Sequence, residues 1–391
     1  MKFIKALSRK TSSNNFIPEI DGLRFLAIFT VVLYHLNTAY SKEIGIGLSG
    51  ALEQMGDSKN TFTMAWWWVR LDLGVKVFFA ISGFVLALPF LRFYLGKTDR
   101  KVELRGYFLR RLTRLEPPFI LSLVVFYIVH LLVFNADGVD YLYHLLAGIV
   151  YGHVFIYGEP NPINPVSWSL ETEAQFYLIV PFILWIVFRF QNKWVSGLLM
   201  LVFLVFSVWF KHDFIWNDYW NRSIPSFFIN FAMGIIACWV YLENLDWIKR
   251  KSIVYDVVGL LSMFGLFYFY KPQHYIFNIV PFNFSLVIVL ITAFKSYLFN
   301  WIYTRKIIYT IGGMCYSIYL LHFAFFHLSV KYTKAFWVLD WSYSANLGVQ
   351  IMLSLPLMLG VSTLFFVWFE KPFMDRDWWG KFYKKIIISK R

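Results

Sequence analysis

Long uninterrupted apolar runs constrain this 391-residue chain more than any other feature. They fall near 22–40, 74–95, 117–134, 144–157, 168–189, 194–210, 223–241, 253–270, 282–300, 307–330 and 346–369. All but 144–157 are 17 to 24 residues long, enough for a helix to cross ~30 Å of hydrocarbon. A backbone in lipid must satisfy its own hydrogen bonds, so runs of this length fold as helices. The fold class expected is all-α: a polytopic membrane helical bundle. No stretch remains for a soluble domain of ordinary size.

Charge supports the same class. The formal net charge is +14 and 59% of residues are hydrophobic. Basic residues cluster in short loops, as cytoplasmic loops of membrane proteins do. They form no soluble basic module, so nucleic acid is excluded as a partner. Trp66-Trp67-Trp68 fits an interfacial belt. Cys238 and Cys315 lie inside apolar runs and read as small packing residues. Glu19, Asp21, Arg24 and His35 interrupt the first run and no small-residue cleavage site follows, which favours an uncleaved first span.

Counting Lys and Arg orients the chain. The N-terminus, residues 97–114, the loops 242–252 and 301–306 and the C-terminal tail are basic, and are expected inside. Parity then requires one early run not to cross. Run 144–157 is short, with His144, His153 and two glycines, and is expected to be re-entrant or interfacial. The expectation is about ten spans in an inner (cell) membrane, both termini cytoplasmic. Residues 1–15 form a flexible N-terminus, 16–373 the transmembrane domain and 374–391 a basic tail.

Within this apolar background four polar features stand out. Arg24 and His35 share one face of the first helix, because eleven residues make almost three turns over ~16 Å. Ionisable groups at such depth are costly and commonly functional, although an interfacial arginine and a core histidine are the plain alternative. Arg111 and Arg114 share a face at the start of the third span, where guanidinium forks suit phosphate as well as simple anchoring. Ser169 and Glu173 enter their span from outside; Glu173 should reach the depth of His35 and pair with it, unless Glu171 and Glu173 only cap their helix. His322 lies in Tyr316-Ser-Ile-Tyr-Leu-Leu-His322, as a candidate or as a satisfied core histidine. Asp72 and Lys76, an i,i+4 pair, are expected to neutralise each other, and Glu370-Lys-Pro to stop the last helix. His130, His212, His274 and His327 show no metal-ligand spacing, so no metal is expected; there is no P-loop and no G-x-S-x-G.

Taken in order, these segments resemble the acyltransferase-3 family of integral-membrane O-acyltransferases. Asp21-Gly-Leu-Arg24 through His35 is similar to its basic-x10-His signature. Val77-Phe-Phe-Ala-Ile-Ser82-Gly83 resembles its second-span motif, and Arg111-x-x-Arg114 its Arg-x-x-Arg pair. Ser167-Trp168-Ser169-Leu-x-x-Glu173, the His322 segment and Phe369-Glu370-Lys-Pro follow. The resemblance runs from about Pro18 to Phe373 and fits members without a soluble esterase-like extension.

It implies a cytoplasmic acyl-CoA donor, usually acetyl-CoA, and a glycan hydroxyl acceptor such as O-antigen or exopolysaccharide, on or bound to membrane lipid. Arg24, Arg111 and Arg114 would hold the donor phosphates. His35 would be general base, or carry the acyl group briefly, with Glu173 orienting it. Asp21, Ser82, Trp168, Ser169 and His322 would support the site, Ser82 through close helix packing. A glycan transporter or flippase without chemistry is the competing class; missing inverted repeats argue mildly against it.

Overall fold

The structure is a computed structural model describing residues 7, 9, 16–56, 63–214, 221–270, 275–336, 338, 341–375 and 378, without the side chains of 211–214 and 275–277. The N-terminal segment apart from Leu7 and Arg9, the basic tail beyond Trp378, and the side chains of His212 and His274 therefore lie outside the described residues. Every regular element among the described residues is helical.

The elements that position the site are α1 (Pro18–Glu43), α2 (Gly74–Tyr94), α3 (Leu104–Val133), α4 (Gly138–Ile149), α5 (His153–Tyr157), α6 (Trp168–Phe188), α7 (Lys193–Phe214), α8 (Ile224–Glu243), α9 (Val254–Phe269), α10 (Tyr275–Lys295), α11 (Lys306–Gly313), α12 (Cys315–Thr333) and α13 (Tyr343–Phe365). Among the described residues eight helices are long and apolar enough to cross a membrane, and nine if α11 and α12, bent by 69° at their junction, form one broken span. Reaching the expected ten would require the 16-residue α9 to cross as well. Over the run 144–157 the chain instead forms α4 of 12 residues and α5 of five, each too short to cross alone.

Burial follows the apolar faces. α2 and α8 make the most extensive helix pair. Their crossing needs glycine on both sides: a Cβ on Gly83 would sit 2.1 Å from the Phe231 carbonyl oxygen, and one on Gly234 1.9 Å from that of Ala80. Backbones in contact gain dispersion energy that lipid cannot replace. Around the crossing, Phe84, Phe176 and Phe231 are fully enclosed, the last two stacked at 4.0 Å. α7 and α13 turn Leu198, Leu201, Met352 and Leu357 outward, as lipid-facing helices do.

Between α5 and α6 the chain dips into the protein. Asn161, Asn164 and Ser167 are buried. Asn161 Nδ2 donates to the His144 carbonyl at 3.0 Å, and Asn164 Nδ2 to that of Leu320 at 3.1 Å. α6 therefore starts deep in the bundle. Glu171, expected at the cap of its own helix, is buried and accepts from the Val154 N–H at 3.0 Å, at the start of α5. Nor do the tryptophans form a simple belt: Trp66 is enclosed, with the Arg70 guanidinium 4.3 Å over its ring, and only Trp67 is exposed.

Candidate active site

The polar residues converge on one chamber among α1, α2, α3, α6, the α11–α12 junction and the end of α13. It holds about 840 Å³ of atom-free space, counting the part open to solvent. Arg24, Arg111 and Arg114 all line it, as the topology expected, and with them Ser82, Ser169 and Glu173. Arg9 supplies a further guanidinium.

Its charges are unevenly paired. Asp21 is buried in the first turn of α1, and its Oδ1 accepts from Arg24 at 2.5 Å and Arg9 at 3.0 Å. α11 meets α1 closely here, since a Cβ on Gly312 would lie 1.7 Å from the Asp21 carbonyl oxygen. Arg111 lies over the rings of Tyr177 and Tyr107, 5.3 and 5.8 Å from their centres. Neither Arg111 nor Arg114 has a carboxylate within 4.0 Å among the described residues. The Nε atoms of Arg9 and Arg114 are buried without a hydrogen-bond partner.

Glu370 is more than a helix stop. A π-turn, Phe366–Glu370, ends the last helix and turns this carboxylate into the chamber wall. Its Oε2 accepts from the Ser317 N–H at 3.1 Å and the Ser317 hydroxyl at 2.5 Å; Oε1 has no partner. Cys315, expected as a packing residue, also lines the chamber.

Glu173 does not meet His35. Its Oε1 accepts from the Ser82 hydroxyl, so Ser82 acts through its oxygen while Gly83 makes the close approach. The dip before α6 is the reason. Ser169 Oγ lies 2.5 Å from Tyr319 Oη, so α6 begins level with Tyr319. α6 and α12 run in opposite directions, which places Glu173 and His322 about 10 Å apart along the bundle. Trp168 is also off the chamber, packed on Phe227 and Phe79 at 5.3 and 6.3 Å.

His35 pairs instead with His322. His322 Nδ1 lies 2.8 Å from the Tyr319 carbonyl and 3.2 Å from that of Ile318, so it carries a proton. His322 Nε2 must then accept, and it lies 3.1 Å from His35 Nδ1. His35 Nδ1 also lies 3.1 Å from the Val31 carbonyl and is therefore a donor to both. The network leaves His35 Nε2 with a bare lone pair and no hydrogen-bond partner among the described residues. Phe323 and Tyr34 contact the ring edge-on at 5.5 and 5.4 Å.

Neither histidine lines the chamber. Tyr319 stands between: it lines the chamber, its ring centre is 5.6 Å from that of His322, and its hydroxyl donates to the Val166 carbonyl. Asp72 and Lys76 still act on each other electrostatically, as expected, but make no contact ion pair within 4.0 Å. Asp72 accepts from Tyr270 Oη at 2.7 Å, and Lys76 lies 4.1 Å over the Tyr270 ring. Among the described residues no three His, Cys, Asp or Glu side chains gather as metal ligands would.

Arg9, Tyr319 and Glu370 were not singled out as site residues. Arg9 was hidden among basic residues read as topological signals. Tyr319 had a usable signal, three residues before His322 on one helix face.

Residues 17–371 match the family described as an acyltransferase domain, acyltransferase-3. The chain belongs to the acyltransferase-3 family. It is 26% identical over 341 residues to O-acetyltransferase OatA of Staphylococcus aureus (strain NCTC 8325 / PS 47), covering 80% of this chain and 51% of that protein. It is 25% identical over 345 residues to Putative O-acetyltransferase SACOL0978 of Staphylococcus aureus (strain COL), covering 81% and 51%. The chain thus spans about half the length of these curated relatives. No solved structure matches it.

Proposed function

We propose that this acyltransferase-3 chain is a membrane O-acyltransferase. It moves an acetyl group from acetyl-CoA, taken from the cytoplasm, to a hydroxyl of a cell-surface or periplasmic glycan. The observation that carries the reading is the bare Nε2 of His35, held in one tautomer by His322 at 3.1 Å. The relatives' names, O-acetyltransferase OatA and Putative O-acetyltransferase, favour acetyl as the group.

In this reading Arg24, Arg111 and Arg114 hold the donor phosphates, since planar guanidinium forks match phosphate oxygens. The thioester arm extends past Tyr319 towards His35. His35 Nε2 takes the proton of the acceptor hydroxyl as its oxygen bonds to the thioester carbonyl carbon. The C–S bond then breaks, and the imidazolium returns its proton to the departing thiolate. His322 accepts from His35 Nδ1–H throughout and stabilises the charged ring. Glu173 takes a different part from the one expected: with Ser82 it shapes the polar wall along which the arm passes. The basic end of the bundle faces the cytoplasm of an inner-membrane protein.

Purified protein in lipid, given labelled acetyl-CoA and a glycan extract, tests the reading. Wild-type protein is expected to consume thioester and label the glycan, and His35→Ala to do neither while remaining folded. Wild-type-like transfer by that variant overturns the role of His35. Glycan movement without thioester consumption overturns the enzyme reading in favour of transport.

A further inference from the structure

We infer that Arg9, from the segment ahead of the family-matched region, is a direct ligand of the donor's phosphate groups. The inference rests on the acyl-CoA reading above and adds a residue outside residues 17–371 to it.

Arg9 is held in place by its surroundings. Leu7, two residues before it, is buried in the apolar cluster that also contains Met314 and Ile318. The Arg9 Cβ lies 3.6 Å from where a Gly313 side chain would begin, at the 69° bend between α11 and α12. The Arg9 side chain lines the chamber beside Gly313 and Cys315, next to this bend.

Its hydrogen bonding is incomplete in a way that calls for an anion. Two guanidinium groups, Arg9 and Arg24, share a single oxygen of Asp21. The Nε–H of Arg9 is buried with no acceptor, and so is that of Arg114. The carboxylates nearby give only partial compensation: Glu173 is engaged by Ser82 and Glu370 Oε2 by Ser317, and the remaining Glu370 oxygen makes no hydrogen bond to any of these guanidinium groups. Buried N–H groups without acceptors are rare, and several converging on one chamber mark the place of an absent acceptor. A single carboxylate would satisfy one fork. Four forks from three separate segments fit a ligand with several phosphates, such as the diphosphate and separate phosphate of a CoA-type donor. Asp21 is then a positioning residue, holding the Arg9 and Arg24 guanidinium groups side by side before the donor arrives.

The experiment compares two donors on the full chain. Binding of CoA is measured at equilibrium for wild type, Arg9→Ala and Arg9→Lys. Transfer is measured with acetyl-CoA and with acetyl-pantetheine, which has the thioester but no phosphates. Arg9→Ala is expected to weaken CoA binding roughly ten-fold, the loss of one charge-assisted contact, and Arg9→Lys less. Kinetics with acetyl-pantetheine should match wild type. If Arg9→Ala binds CoA as wild type does, or loses both donors equally, Arg9 is not a phosphate ligand. Failure of the wild-type protein to bind CoA overturns the donor reading itself.

Discussion

The two ends of the polar path are built on opposite principles. In the chamber, cationic donors outnumber their acceptors: among the described residues Arg111 and Arg114 have no carboxylate within 4.0 Å, and the Nε groups of Arg9 and Arg114 have no hydrogen-bond partner. At the histidine pair the ring nitrogens are accounted for except one. His322 is fully enclosed, and each of its nitrogens has a neighbour within 3.2 Å. Unmet hydrogen-bonding capacity suits a region that must receive a charged ligand. Satisfaction of every nitrogen but the reacting one suits a region that must hold one tautomer. A buried polar network fully satisfied is rigid, whereas one partly satisfied awaits a partner.

Substitutions can break this contrast, and the largest effect is expected at the histidines. His35→Gln keeps a polar group but loses the base, and turnover should fall about 10²–10⁴-fold with the donor KM little changed. A large KM rise with normal kcat would place His35 in binding instead. His322→Phe keeps the bulk and removes the acceptor for His35 Nδ1–H. It should lower kcat roughly 10–100-fold and shift the pH–rate profile, a readout that lost packing alone would not move. At the other end, Arg111→Lys should raise the donor KM about ten-fold at unchanged kcat, because the fork is lost while the charge stays. The smallest effect is reserved for a site outside both regions. Asp137 caps α4 through the N–H groups of Val139 and Asp140, and Asp137→Ala should cost about 1 kcal/mol in thermal unfolding with kinetics intact. A kinetic change there would mean the two regions are not separable from the rest of the bundle.

Much of the site was legible before any coordinates. Loop charge brought Arg111 and Arg114 to the level of Arg24, and all three line one chamber; His35, on the same helix face as Arg24 by spacing, lies outside that chamber. The depth of Glu173 was not legible, because counting residues from a helix start assumes that the helix starts at the membrane surface. Here the buried segment through Asn161 and Asn164 lowers that start, and Glu173 moves away from His35 towards the arginines. The inward turn of Glu370 was not legible for a related reason: a π-turn changes where a terminal side chain points, and helical spacing does not announce it.

The sequence by itself determined the class of fold and the inventory of charge. Long apolar runs in lipid leave the backbone no alternative to helices, and ionisable groups within them are too costly to be accidental. The tertiary structure decided which of those groups are partners. It chose His322 over Glu173 for His35, gave Asp21 to both Arg9 and Arg24, and set Ser82 against Glu173. Partnership depends on differences of a few ångströms in depth and on one helix bend. Those are set by how neighbouring helices and the buried segment through Asn161 and Asn164 pack, which periodicity within a single helix does not encode.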